Sequence, residues 1–329
     1  MSQQPFPVRD FRQLRIVFMG TPEFAVASLD ALVTAGCTIV GVVTAPDKPA
    51  GRGMKLAQSA VKQYAVAHNL PVLQPGKLKD PEFLEQLRAL QADLQVVVAF
   101  RMLPEIVWNM PPMGTINVHG SLLPHYRGAA PINWAVINGE TETGVTTFQL
   151  KHEIDTGNIL LQQAIPVGEN ETAGEVHDRM KETGAALLVK TVKGLAEGTL
   201  TATPQEVVVP AADNAAPSAL KHAPKIFTET CRIDFSKTVD EVHNLVRGLS
   251  PFPGAFTTLQ GKMLKIYRTE KQYEPTLPAN PLPPGTHDTD GKTILRFRCS
   301  NGFIKATELQ LEGKKRMQVE EFLRGYRFE

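Results

Sequence analysis

Asn117 and His119 stand two residues apart in "GTINVHG" (residues 114–120). A strand alternates its side chains, so both polar groups point to one face while Ile116 and Val118 point to the other. Asp155 follows in "HEIDTGNIL" (152–160), just after the apolar run "GVTTFQL". An amide N–H can stabilise an oxygen that becomes negative during reaction, an imidazole can accept or relay a proton near neutral pH, and a carboxylate can orient the imidazole or take that proton through water. These are the needs of acyl transfer to an amine. The chain carries no G-x-S-x-G elbow and no cysteine near these residues, so the attacking nucleophile is expected to belong to the substrate. Each residue also has a structural use, since Asn and His can bond an adjoining loop and an aspartate before Thr-Gly suits an Asx turn. Two on one face, with Ser121 and Arg127 just beyond, favour the catalytic use.

The elements around them alternate. "LRIVFMG" (14–20) is a short apolar run, "PEFAVASLDALVTAG" (22–36) has apolar residues at helical spacing and a glycine stop, and "TIVGVVTA" (38–45) is β-branched. A helical stretch near 58–68, the short "LPVLQP", a helical "DPEFLEQLRALQ" and the doubly apolar "LQVVVAF" (94–100) follow. Apolarity on both faces belongs to a parallel sheet covered by helices, so the expected fold is a doubly wound, Rossmann-like α/β domain with its ligands beyond the C-terminal strand ends. "MGTPEF" does not match G-x-G-x-x-G, which counts against a nicotinamide dehydrogenase. A long helix is expected over about 172–196, then a linker rich in Ala, Pro, Thr and Val. Beyond it, "AFTTLQG", "MLKIYRTE", "KTILRFRCS" and "GFIKATELQLEG" read as short strands of a smaller, mainly β, OB-like barrel. The expected divisions are an N-terminal arm (1–13), the α/β domain (14–198), the linker (199–220) and the barrel (221–329).

The 329 residues carry a net charge of +1, unevenly spread. Residues 1–220 hold 17 Lys and Arg against 21 Asp and Glu, a net of −4, whereas residues 221–329 hold 18 against 13, a net of +5. A basic C-terminal third suits a polyanionic partner. Three widely spaced cysteines and eight histidines without paired ligand spacing give no reason to expect a disulfide or a metal. No apolar run reaches membrane-spanning length and the N-terminus lacks a signal-peptide pattern, so a cytoplasmic protein without a membrane partner is expected, and one polyanionic substrate per chain suits a monomer.

The stretch "NVHGSLLPHYRGAAPINWAVINGETETGVT", with the later "IDTG", resembles the folate-dependent formyltransferases. The resemblance implies that Asn117, His119 and Asp155 are the catalytic set, and that Ser121, Leu122, Leu123 and Pro124 form the turn lining the site for 10-formyltetrahydrofolate. "MGTPEFAVASLDAL" and "TAPDKPAGRGMKLAQSAVKQYA" are similar to the branch of that family whose acceptor is initiator methionyl-tRNA, with Lys48, Arg52 and Lys55 in a loop that meets the acceptor end. "HAPKIFTETCRIDFSKTVDEVHNLVRGLSPFPGAFTTLQGKMLKIYR" is similar to the C-terminal domain of that branch, so the likeness runs from about residue 14 to 326. Two rivals remain at this level: a formyltransferase acting on an amino sugar nucleotide, and a non-catalytic RNA-binding protein on the same scaffold.

Overall fold

In a computed structural model, the residues described are 8–50, 55–208, 220–274 and 282–328. They fall into two compact units. The first is drawn from Met1–Arg127, Gly144–Ile165 and Asp178–Lys221, and the second from Gly128–Thr143, Pro166–His177 and His222–Glu329.

The first unit is built on a seven-stranded sheet: β1 (Arg15–Gly20), β2 (Thr38–Val43), β3 (Val72–Leu73), β4 (Leu94–Val98), β5 (Thr115–His119), β6 (Glu142–Gln149) and β7 (Ile159–Pro166). Their order is β7-β6-β5-β4-β1-β2-β3. The pairs β1–β2, β1–β4, β2–β3 and β4–β5 are parallel, and β5–β6 is antiparallel. Every residue of the central β4 is buried, as its sequence "LQVVV" requires. Its one polar side chain, Gln95, has Oε1 3.0 Å from the Thr115 hydroxyl, which also lies 2.6 Å from the Trp108 carbonyl oxygen.

Helices cover the sheet. Helix α1 (Glu23–Thr34) follows β1, α2 (Ala60–Ala67) is capped by the Ser59 hydroxyl, and α3 (Pro81–Ala89) by the Asp80 carboxylate. Phe83, Leu84 and Leu87 of α3 pack with Val17, Met19 and Val97 of the sheet. Helix α4 spans Ala173–Ala196. The stretch after it returns to this unit: Thr203 and Ile159 exchange backbone hydrogen bonds at 2.8 Å each, and Gln205 begins a short helix at Gln205–Val208.

The second unit carries an antiparallel sheet made of β8 (Ala255–Leu259), β9 (Lys262–Tyr273), β10 (His287–Thr289), β11 (Leu295–Cys299) and β12 (Gly302–Leu311), in the order β8-β9-β12-β11-β10, with β13 (Met317–Gln318) on β12. The β8–β9 hairpin turns at Gln260 (φ 46°) and Gly261 (φ 78°), the two left-handed residues that match strand twist. The expected barrel is found as a curled antiparallel sheet, a half-barrel, with β8 and β10 at the ends of the strand order among the described residues. Helices pack against it. Helix α5 (Val239–Gly248) opens with a capping box between Thr238 and Glu241, and both α5 and α6 (Val319–Gly325) contribute to its core with Phe297, Ile304 and Leu309.

His243 of α5 is buried, with Nδ1 2.8 Å from the Thr269 hydroxyl. Burial first, then the charges of Arg247 and Lys271, push its pKa below the ordinary 6.5, against the opposing pull of Glu169. Asp240 also carries charge beside it. An imidazole with a depressed folded pKa binds its proton more readily when unfolded, so its contribution is complete above about pH 6.5 and is lost as pH falls through that value. Melting temperature should therefore drop between about pH 7.5 and 5.5, and His243→Gln should flatten the drop. An equal slope in wild type and variant would rule His243 out as its source.

Candidate active site

Because β5 runs parallel to its neighbours β4 and, through it, β1, His119 lies at the C-terminal edge of the sheet, where such folds bind ligands. Its neighbour in pairing, Thr146, and the Asn117 partner Phe148 come from β6. The His119 ring is buried and meets the edge of Phe148, with centroids 6.3 Å apart. Its Nε2 lies 2.9 Å from the Tyr126 carbonyl oxygen. A carbonyl only accepts, so Nε2 carries hydrogen and the opposite nitrogen, Nδ1, is the ring atom available for proton exchange.

Nδ1 faces Asp155, whose Oδ2 is 3.8 Å away. That is too long for a direct hydrogen bond, yet a third atom could sit about 2.8 Å from both. Asp155 is largely buried and adopts φ 54°, a left-handed conformation that few non-glycine residues take. Two residues on, Gly157 leaves no room for a side chain, since a Cβ there would lie 1.6 Å from the Gln149 carbonyl oxygen. Asn117 is half-buried on the face of β5 shared with His119, and among the described residues no hydrogen bond occupies its side-chain amide. It is a donor in reserve.

The turn after β5 is fastened internally. The Ser121 hydroxyl is fully buried and donates to the His125 carbonyl at 2.7 Å; the Leu123 amide donates to the Thr146 hydroxyl at 3.1 Å, and that hydroxyl donates to the Ser121 carbonyl at 2.6 Å. Gln162 donates to the Leu123 carbonyl and to Thr146, each at 2.9 Å. Leu123 packs with Phe148 and Ile159, Pro124 is buried, and the Leu123–Pro124 peptide is cis. Leu122 alone of the four turn residues keeps side-chain surface, and Gly144 makes room for it: a Cβ at 144 would lie 2.5 Å from Leu122 Cδ2.

The roles of the three residues after the turn follow from their partners. His125 gives its carbonyl to Ser121, Tyr126 gives its carbonyl to His119, and Arg127 donates through Nε (3.0 Å) and Nη2 (2.5 Å) to Gln205 Oε1. Gln205 in turn donates to the carbonyls of Asp155 and Gly157, both at 2.8 Å. Nothing in the sequence marks Gln205, which sits in the stretch expected to be a linker, 50 residues from Asp155.

At the same sheet edge, the segment after β2 forms an antiparallel ribbon of Lys48–Ala50 with Lys55–Ala57. Lys48 is exposed on it; Arg52 lies outside the described residues, and for Lys55 the backbone alone is described. The root of the ribbon is pinned. Lys62 and Gln74 both donate to the Asp47 carboxylate, at 2.5 and 2.8 Å, and hold its pKa below the usual carboxylate range. No group of three or more His, Cys, Asp or Glu among the described residues is placed to hold a metal, and no described helix is long and apolar enough to cross a membrane.

Residues 14–192 match the family model described as "Formyl transferase", and residues 225–327 match "Formyl transferase, C-terminal domain". The chain is 53% identical to the methionyl-tRNA formyltransferase of Bacteroides fragilis over 319 residues, covering 95% of each chain. It is 55% identical to that of Parabacteroides distasonis over 321 residues, covering 95% of this chain and 96% of the relative. Among solved structures, it is similar to an N-formyltransferase from Helicobacter canadensis, in complex with folinic acid and dTDP-3-aminofucose, with 21% identity, a TM-score of 0.63 and coverage of 89% and 99%. At that identity the likeness concerns the fold.

Proposed function

Since the chain belongs to the formyl transferase family, we propose that it moves the formyl group of 10-formyltetrahydrofolate to the α-amino group of methionyl initiator tRNA. The observation that carries the chemistry is the idle Asn117 amide beside the His119–Asp155 pair, at the ligand-binding edge of a parallel sheet. The substrate reading rests on identity above 50% to methionyl-tRNA formyltransferases over nearly the full length.

The folate supplies the formyl carbon: the methionyl nitrogen bonds to it and gives up a proton, the bond from that carbon to the folate nitrogen breaks, and the folate nitrogen leaves carrying a proton in place of the formyl group. The donor set fits that transfer. Asn117 offers N–H to the formyl oxygen as it gains charge. A nitrogen placed between His119 Nδ1 and Asp155 Oδ2 would be within reach of both, and a free α-amine titrates near pH 7.7 to 8, so these groups have only a modest proton to remove. The Ser121–Pro124 turn holds the folate through its shape and through Leu122, because the Ser121 hydroxyl is already committed to His125.

Lys48, Arg52 and Lys55 are the residues assigned to the tRNA acceptor end, with the basic second unit adding phosphate contacts. The protein then works in the cytoplasm, as a monomer with one tRNA per chain. The test is transfer of labelled formyl to methionyl initiator tRNA, beside elongator methionyl-tRNA and an amino sugar nucleotide. Product selective for the initiator, with binding that weakens steeply as salt rises, is expected. Product only on the sugar nucleotide would keep the chemistry and overturn the acceptor.

A further inference from the structure

We propose that Gln205 is a positioning residue for the Asp155 carboxylate, and that with Arg127 it sets the spacing of the His119–Asp155 pair. This rests on the catalytic reading of that pair. Gln205 is 1% exposed, and every hydrogen-bonding capacity of its side-chain amide is used: two N–H bonds go to the carbonyls of Asp155 and Gly157, and Oε1 takes two bonds from the Arg127 guanidinium. The partners also fix which way the amide points. Reversed, its oxygen would meet two carbonyl oxygens and its NH2 would meet a guanidinium, and all four bonds would be lost.

The segment it holds needs holding. Lys151, His152, Glu153 and Ile154 are exposed, and Asp155 itself sits at φ 54°, a conformation costing about 1 kcal/mol or more for a residue with a side chain. One buried amide bonding the carbonyls on both sides of Thr156 fixes the peptide that aims the carboxylate. Arg127 follows Tyr126, whose carbonyl orients the His119 ring, and the Tyr126 amide is itself seated on the Lys221 carbonyl at 2.6 Å. Adjacent residues thus secure both members of the pair, Tyr126 by its backbone and Arg127 through Gln205. A movement at Arg127 or Gln205 changes the 3.8 Å gap without removing any group that touches substrate.

The test uses the full chain with Gln205→Glu and Gln205→Ala. Glutamate keeps the shape and the Arg127 contact but offers no donor to the two carbonyls. Formyl transfer is followed as a function of pH, with thermal melts to establish folding and the 15N imidazole signals of His119 titrated by NMR. In both variants kcat should fall about tenfold to a hundredfold with KM for the charged tRNA within about twofold, the pH limb of kcat should move, and the His119 titration should move with it. A folded Gln205→Glu protein with wild-type kcat and an unmoved His119 titration would overturn the proposal. If either variant fails to fold, Arg127→Gln, which removes only the far half of the clamp, is read the same way. A wild-type protein that transfers no formyl group would sink the functional reading instead; a shifted His119 titration in the variants would then still establish the positioning role, and an unshifted one would end it.

Discussion

Replacement of Asn117 by alanine is expected to lower formyl-transfer turnover about a hundredfold to a thousandfold while leaving affinity for the charged tRNA unchanged. The asparagine sits inside a strand, paired through its backbone with Val97 and Phe148, so those ladder bonds do not depend on its side chain. What alanine removes is a half-buried N–H donor that no described residue uses. A donor of this kind matters little to the bound substrate and much to the charged oxygen of the transition state, so the loss belongs in kcat. Comparing single-turnover rates with tRNA binding separates the two. Unchanged turnover would show that Asn117 is not the group facing the oxygen.

Asp155→Asn is expected to reduce kcat about a hundredfold to ten-thousandfold, the usual worth of a positioned acid–base group. Its size matches the native side chain, and the Gln205 clamp acts on the backbone, so the loop should keep its place. The neutral amide cannot take a proton from a nitrogen seated between it and His119 Nδ1, the ring nitrogen that Tyr126 leaves available. The pH–rate profile should lose the limb contributed by the pair. Activity within about threefold of wild type would falsify the assignment of Asp155 to proton transfer.

Much of this fold was legible in the chain because its central strands are apolar on both faces. "LQVVVAF" and "GTINVHG" are found as strands at Leu94–Val98 and Thr115–His119, the first ending where Ala99 turns to φ 47°. The helix expected at 172–196 is Ala173–Ala196. Less was visible in the C-terminal region. Short alternating strands suggest a barrel, and the described strands form a curled half-barrel, but alternation alone does not give the strand order. Helix α5 was hidden among strand signals although Thr238 and Glu241 form a capping box that could have announced it.

At the candidate site, the types and spacing of Asn117, His119 and Asp155 stand in the sequence, but the groups bonded around them do not. His119 is oriented by the main-chain carbonyl of Tyr126, and the Asp155 segment by an amide bonding two further carbonyls. Main-chain acceptors are present at every residue and so leave no mark in a sequence. The Ser121 hydroxyl presents the opposite case, a reactive-looking group whose hydrogen bond to His125 gives it a structural role.

Where such a chain can be cut is a separate consequence of the clamp. The end of the long helix at Ala196 looks like a natural place to terminate a minimal catalytic fragment. Yet Gln205 and the Lys221 carbonyl, both beyond it, brace the Asp155 segment and Tyr126. A fragment ending near residue 198 would retain Asn117, His119 and Asp155, the side chains assigned to the chemistry, and lose two of the hydrogen-bonding partners around them. In this protein the borders of the reaction and the borders visible in the helix pattern do not coincide, and any attempt to graft or shorten the enzyme has to carry the stretch through Lys221 along with it.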